Sequence, residues 1–559
     1  MTSRFQLFSF SAFQHLTCEC LVVLWSFAPL FFLSLAPPAC AQTNLVTPWA
    51  YLQSQPKPNF ATGNTLPLLT RCGWDTQIST NTHIELANNW GFTLPIDCLN
   101  ANVTNIFNTN SVFNVFVNMA SNNPTKYKLM IWMNIIWPQP IPSGFYCTNS
   151  AGMFVDMTGT NTWAGPNAYT NGHTPVMCPE APDNYLQQAA NYWVGNLIYV
   201  LSNAPVAYIE TDGEYGLGGK TYAKAWAADP RVQSALATNV GVISGGVTNW
   251  YLYATLKKCH QLQMVRNAIN TVDPNRVLNI WYAHSECEGT ENQASGGFID
   301  NQVVPATGDL PSLETYCLNY RNGPFLISSN IINGQNYDLL TKFLNGQGYM
   351  IANGWPLEYS WVTGGCYYDQ STHAPAAIYK GLLKCLCTGG AWGLQAGYYG
   401  VPTQTPTDGQ SGWNDTFDPA NPPDWIVQIM SAAHTEALFS HLANFLTNGD
   451  LLSGSESNSL SPSQPAYEFT NTAGYANDRV LARKLRGQNQ WLVTAWAADG
   501  TNRIVTVNIP TVGPLSLLAA DIGSVYQVTM TGTNVQQRLL DEYTSFGVAP
   551  PTDLHVMPP

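Results

Sequence analysis

Charge is scarce in this 559-residue chain: Asp, Glu, Lys and Arg make up 10% of it, and only 22 residues are Lys or Arg. No basic run occurs, and the formal net charge is −13. Such a surface gives phosphate backbones and anionic lipids nothing to bind, which excludes nucleic acid and acidic membranes as partners. There is no Cys-x-x-Cys pair, the usual frame of a structural zinc site, and no Gly-x-Ser-x-Gly elbow for serine esterase chemistry. Repeats of solenoid length are absent as well. A polysaccharide lyase would need Arg or Lys against a uronate, and those residues are too few to favour that alternative.

What the chain has instead is aromatic surface. Aromatics reach 12%, with 18 Trp and 27 Tyr, set among Asn, Gln, Ser, Thr and Gly, a composition suited to neutral, hydroxyl-rich ligands. No cofactor is implied. His284-Ser-Glu-Cys-Glu288 could be read as a metal site, but alternating residues on a loop rarely converge on one ion. The leader, residues 1–41, has Arg4 as its one Lys or Arg, then an apolar stretch from Leu21 to Ala36 and the small-x-small pattern Ala39-Cys40-Ala41. That pattern predicts a secretory signal and a secreted product, with no membrane contact after cleavage. Ten cysteines then remain, free to pair in an oxidising compartment. Cys147 and Cys178 bracket a Thr/Asn/Gly-rich stretch and are the pair best placed to staple it.

From about residue 64, strand-like and helix-like segments alternate for nearly 400 residues. Eight strands are expected: Leu66 to Trp74, Gly91 to Cys98, Tyr127 to Trp137, Val206 to Glu214, Val277 to His284, Leu313 to Tyr320, Tyr349 to Trp361 and Trp392 to Tyr399. Apolar residues recur at three and four in Asn184 to Ser202, Asn249 to Ile269, Tyr337 to Leu344, Pro375 to Leu386 and Trp425 to Leu446, which predicts crossover helices. Eight βα units imply an α/β fold, a closed (β/α)8 TIM barrel over residues 42–450. A Ser-rich stretch then leads into alternating runs, read as a small C-terminal antiparallel β-sandwich over residues 451–559.

In such a barrel, chemistry sits where strands end and the following loops begin. Val206-Ala-Tyr-Ile-Glu-Thr-Asp-Gly-Glu-Tyr-Gly216 places Glu210, Asp212 and Glu214 there within five residues. Crowded like charges gain nothing for folding and suit acid/base work. Glycoside hydrolysis needs two carboxylic acids facing one bond. Glu214 is the proton donor candidate, and Glu358 in Trp355-Pro-Leu-Glu-Tyr-Ser-Trp361, near the end of the seventh expected strand, is the nucleophile candidate. Glu314 is its rival, disfavoured by a position early in the sixth expected strand. Substrate binding is expected from Asp212, from Asn134 and Trp137 at the end of strand three, from His284, from Tyr316 or Tyr320, from Trp392, and from Trp355 and Trp361 as sugar platforms.

The strand-four ending resembles clan A glycoside hydrolases, and is similar above all to the β-galactosidases of families 35 and 42. The resemblance implies that Glu214, matching the Glu of their Asn-Glu-Tyr-Gly motif, is the acid/base, that a strand-seven Glu, here Glu358, is the nucleophile, and that a strand-six tyrosine, Tyr320, steadies it. Gly213 replaces the motif's Asn, so recognition of the sugar 2-hydroxyl must differ. The resulting expectation is a secreted retaining glycoside hydrolase acting on a neutral or weakly charged plant or algal polysaccharide or a galactoside. A non-catalytic carbohydrate-binding barrel is the opposing class.

Overall fold

The computed structural model describes residues 44–61, 68–71, 78–97, 112–134, 143–164, 176–195, 197–212, 222–238, 243–244, 246–273, 278–283, 308–315, 317–320, 326–332, 335–352, 354–363, 375–397, 415–454, 466–472 and 477–540. Every element below belongs to the compact unit Leu45–Pro559. Eight short strands form one sheet: β1 (Leu68–Arg71), β2 (Leu94–Asp97), β3 (Leu129–Asn134), β4 (Val206–Asp212), β5 (Leu278–Ala283), β6 (Leu310–Thr315), β7 (Glu358–Thr363) and β8 (Ala391–Gly397). Most read as near-continuous apolar runs, as expected of parallel strands covered on both faces.

Their hydrogen-bonded order is β1-β8-β7-β6-β5-β4-β3-β2, parallel throughout. The first strand thus pairs with the last. β1 and β2, the two ends of that order, approach within 8 Å, which closes the sheet into a (β/α)8-type barrel. Helices on its outside are α1 (Thr80–Asn89), α2 (Val112–Asn122), α3 (Asp183–Gly195), α4 (Pro230–Thr238), α5 (Trp250–Val272), α6 (Leu339–Ala352), α7 (Ala376–Gly389) and α8 (Asp424–His441). Side-chain caps set two of the helix starts. Ser79 Oγ accepts from Thr82 N at 3.2 Å ahead of α1, and Asn249 Oδ1 accepts from Leu252 N at 3.1 Å ahead of α5.

Two expected strands are corrected. The sixth ends at Thr315, and Cys317–Tyr320 instead pairs antiparallel with Leu326–Ile332 in a separate three-stranded sheet. The seventh does not begin near Tyr349, because the apolar residues Leu339, Leu340, Phe343, Leu344 and Met350 are buried along one longer helix, α6. Gly354, at φ +91°, turns the chain, and its N–H donates to Ile351 O. Trp355, Pro356 and Leu357 follow as connection, so β7 starts only at Glu358.

The C-terminal strands are antiparallel: β9 (Gly449–Leu451), β10 (Asp478–Leu485), β11 (Gln490–Ala497), β12 (Arg503–Ile509), β13 (Gly513–Ala519), β14 (Ser524–Thr531) and β15 (Asn534–Leu540). Five make a sheet in the order β9-β10-β11-β14-β15, while β12 and β13 pair as a ribbon. Val480, Ala482, Trp491, Val493 and Ala495 share a core with Val505, Val507, Ile509, Leu515 and Leu517 of the ribbon. Leu492 and Trp496, on the other face of β11, pack into the barrel's core, so all of β11 is buried.

Small residues let that face meet α7. A Cβ on Gly381 would lie 2.1 Å from Trp496 Nε1, and Thr388 Oγ1 lies 2.6 Å from Thr494 Oγ1. Arg483 of β10 is fully buried here and donates to the carbonyls of Phe445, Thr388, Leu446 and Gly449 at 3.1 to 3.3 Å. Burial pushes its guanidinium down to about 10, which leaves it charged at neutral pH. Arg483→Met strips the donor from these four carbonyls and is expected to lower stability by about 3 kcal/mol, measured by urea denaturation.

Glu436 of α8 is fully buried, and neither carboxyl oxygen has a hydrogen-bond partner among the described residues. Burial holds its pKa well above the usual carboxylate range, so the folded protein keeps it protonated. Below the unfolded value both states bind the proton and nothing is lost. As pH rises above that value, only the unfolded chain releases it, and stability falls. Glu436→Gln is therefore expected to flatten the decline in stability between about pH 4 and 8, as read from denaturation midpoints across that range.

Candidate active site

All eight strands run the same way, so their carboxyl ends share one mouth. Below it, Tyr208 of β4 and Tyr359 of β7 meet inside the barrel, fully buried, with hydroxyls 2.9 Å apart and ring centroids at 5.4 Å. Burial, then the neighbouring Tyr208 and Glu210, push the Tyr359 hydroxyl well above its ordinary value. It stays a neutral phenol. This pair is the floor of the mouth, and sequence reasoning missed it because nothing in either strand pairs Tyr208 with Tyr359.

Glu210, fully buried, lies one register step beyond Tyr208 on the same side of β4, beside Trp132 and Ile280. Asp212 is the last residue of β4 and is in register with Asn134, the last of β3, and with Tyr282 of β5. Glu314 is the penultimate residue of β6, in register with Trp361 of β7. The expectation that Glu314 falls early in its strand is thereby corrected, since β6 begins three residues sooner than the sequence suggested. Asp97, not singled out from the sequence, ends β2 in register with Trp132. An acid closing the apolar run Leu-Pro-Ile was the signal available.

Other expected site residues lie elsewhere. Glu358 is the first residue of β7, fully buried, with its N–H donating to Gly390 O at 3.0 Å. It stands at the amino end of the barrel, opposite to the end the sequence reading gave it. Trp355 belongs to the connection into that amino end, half-buried against the core. Trp392 is the second residue of β8 and 7% exposed, a core position. Tyr320 ends a strand of the separate three-stranded sheet. Trp137, Glu214, His284, Tyr316 and Glu288 lie outside the described residues.

One wall of the mouth is built by the long connection from β3 to α3. Phe154 and Trp163 stack at 6.1 Å, with Tyr146 edge-on to Phe154. The wall is clasped to the connection after β4. Asp229 precedes Pro230, the first residue of α4, and accepts from Thr148 N at 2.8 Å and Arg231 N at 2.8 Å. It also accepts from Arg231 Nε at 3.0 Å and Nη2 at 2.7 Å. Arg231 reaches on to the carbonyls of Gly144 and Tyr146. Burial alone would push the Asp229 carboxyl up, but the Arg231 and Thr148 hydrogen bonds outweigh it and hold it below its ordinary value. Nearby, Tyr253 donates to Glu180 at 2.7 Å, and Lys257 pairs with the same carboxylate at 2.6 Å.

No family model and no curated protein matches the chain. Solved structures with partial likeness include an α-amylase from Geobacillus thermoleovorans complexed with acarbose, 11% identical, with a TM-score of 0.38 over 77% of this chain and 78% of that one. Another is a family 27 β-L-arabinopyranosidase from Geobacillus stearothermophilus, 8% identical, with a TM-score of 0.42 over 87% and 99%. A third is a family 36 α-galactosidase from the same species in complex with raffinose, 9% identical, with a TM-score of 0.38; the match covers 88% of this chain but 58% of that one. None of the three is a family 35 or 42 β-galactosidase. At these scores the likeness assigns no family, and the barrel rests on its own strand pairing.

Asp229→Asn is expected to destabilise the protein by about 3 kcal/mol at neutral pH, because it leaves Arg231 without its buried counter-charge. The folded pKa of Asp229 is depressed, so its contribution is present above the unfolded value and is lost as pH falls through the folded one. Chemical denaturation of both proteins should therefore show the difference closing below about pH 4.

Proposed function

We propose that the chain is a secreted glycoside hydrolase whose site is the carboxyl-end mouth of the barrel. The observation that carries this reading is the placement of acids at strand ends: Asp212 closes β4, Glu314 stands one residue from the end of β6, and both strands open into the same mouth. Two facing carboxylic acids are what glycosidic cleavage requires. Glu214, two residues past β4 in sequence, is assigned as general acid/base, as the resemblance to clan A implied. Glu314 is assigned as the second carboxylate in place of Glu358, whose position at the amino end of β7 puts it on the far side of the Tyr208–Tyr359 floor. Asp212 and Asn134, in register at adjoining strand ends, are assigned to substrate hydroxyls.

The abundance of Trp and Tyr, together with the low overall charge, supports a neutral or weakly charged oligo- or polysaccharide as substrate. The leader pattern supports secretion. A non-catalytic carbohydrate-binding barrel shares the aromatics but gives no reason for acids at the ends of β4 and β6.

The test is a panel of neutral polysaccharides and aryl glycosides assayed with the full chain. Glu214→Gln and Glu314→Gln should each lower turnover about a hundredfold or more, with unchanged circular dichroism, while a folded Glu358→Gln keeps most of its activity. Unaltered turnover in Glu314→Gln removes that residue from the pair. Binding without cleavage across the panel favours the binding barrel. The anomer first released, read by NMR, sets the mechanism: retention corresponds to carboxyls about 5 to 5.5 Å apart, inversion to about 6.5 to 9.5 Å.

A further inference from the structure

Cys147 and Cys178 stand as thiols side by side. Cys147 and Cys178 flank the antiparallel bridge between Tyr146 and Met177, where Cys147 N donates to Val176 O at 2.8 Å and Cys178 N donates to Phe145 O at 2.9 Å. In this ladder the two cysteines lie diagonally across from each other on one face. Both are fully buried, and their Sγ atoms and an Asp229 oxygen all lie within 4.8 Å of one another. Two backbone hydrogen bonds therefore hold the two sulfurs within 4.8 Å of each other.

The same trio has the residue types of a soft-metal site, but the third member is already engaged. The Asp229 carboxylate accepts four hydrogen bonds, from Thr148 N, Arg231 N, Arg231 Nε and Arg231 Nη2, and the Arg231 guanidinium stands where a cation would be repelled. That leaves two sulfurs, one of which already donates to Met177 O at 3.5 Å.

We infer that Cys147 and Cys178 become a disulfide that locks the β3-to-α3 wall of the mouth, beside the Asp229–Arg231 clasp. The inference does not depend on the glycosidase reading. Each cysteine gives up its thiol hydrogen, and the two electrons and two protons pass to a disulfide oxidant, small-molecule or protein, which leaves as two thiols. One cysteine thiolate attacks the oxidant to give a mixed disulfide and the first thiol; the second cysteine then attacks that bond and releases the other. Both sulfurs are buried once the wall is packed, so the exchange occurs before the wall closes over them. Cys385 and Cys387, also fully buried, sit two residues apart on α7, where their side chains do not face each other.

The test uses the full chain made in an oxidising secretory host, denatured without reductant and treated with iodoacetamide before digestion. The expected result is a Cys147–Cys178 cross-linked peptide, lighter by two hydrogens than its two thiol halves, that disappears on reduction. Reductant should lower the melting temperature of the wild type by several degrees but leave that of the C147S/C178S double variant unmoved. Alkylation of both cysteines in the unreduced wild type overturns the proposal. So does one equivalent of zinc by elemental analysis that is lost in the double variant, which would assign the trio to a metal instead.

Discussion

The pairing of β1 with β8 is the constraint on which the rest depends. With Leu68 to Arg71 hydrogen-bonded to Gly393 to Ala396, and β1 in turn approaching β2 within 8 Å, a parallel sheet that would otherwise have two open edges becomes a ring. A ring of parallel strands has two unlike rims. Every connection that leaves a strand starts on one rim and every connection that returns arrives on the other, so the position of an acid within its strand decides which side of the molecule it serves. Asp97, Asp212 and Glu314 are on the leaving rim; Glu358 is on the returning one.

The interior between the rims is not uniformly apolar. Tyr208 and Tyr359 bridge opposite strands through their hydroxyls, and Glu210 lies fully buried above them. Behind β7 and β8, Glu436 is buried as a neutral acid, and Arg483 carries a charge into the seam between α7 and the C-terminal sheet. The two solve the same problem differently. Glu436 gives up its charge, whereas Arg483 keeps it by collecting four backbone carbonyls at the ends of neighbouring elements. The second solution also binds the seam, because its acceptors come from α7, from the helix Ala443–Asn448 and from β9.

Much of the strand pattern was legible because parallel strands buried on both faces leave short apolar runs bounded by polar turns. Val206 to Asp212 and Leu129 to Asn134 are found within the segments expected of them. The sixth and seventh strands were misjudged for one reason. A continuous apolar run does not reveal its period, so Tyr349 to Ile351 read equally well as strand or helix, and Leu313 to Tyr320 concealed a break between two sheets. An error of a few residues in a strand's start moves an acid from one rim to the other, and that is how Glu358 and Glu314 exchanged standing.

Sequence by itself determined the alternation that implies a barrel, the change to antiparallel texture after residue 450, and the concentration of acids at the end of β4, since these follow from local composition and period. Tertiary structure alone decided which strand ends share a rim, that Tyr208 meets Tyr359, and that Arg231 and Thr148 saturate Asp229. Each of these joins residues far apart in the chain whose local surroundings carry no mark of the partner. Only the closure of the sheet and the folding-back of its loops bring them within reach.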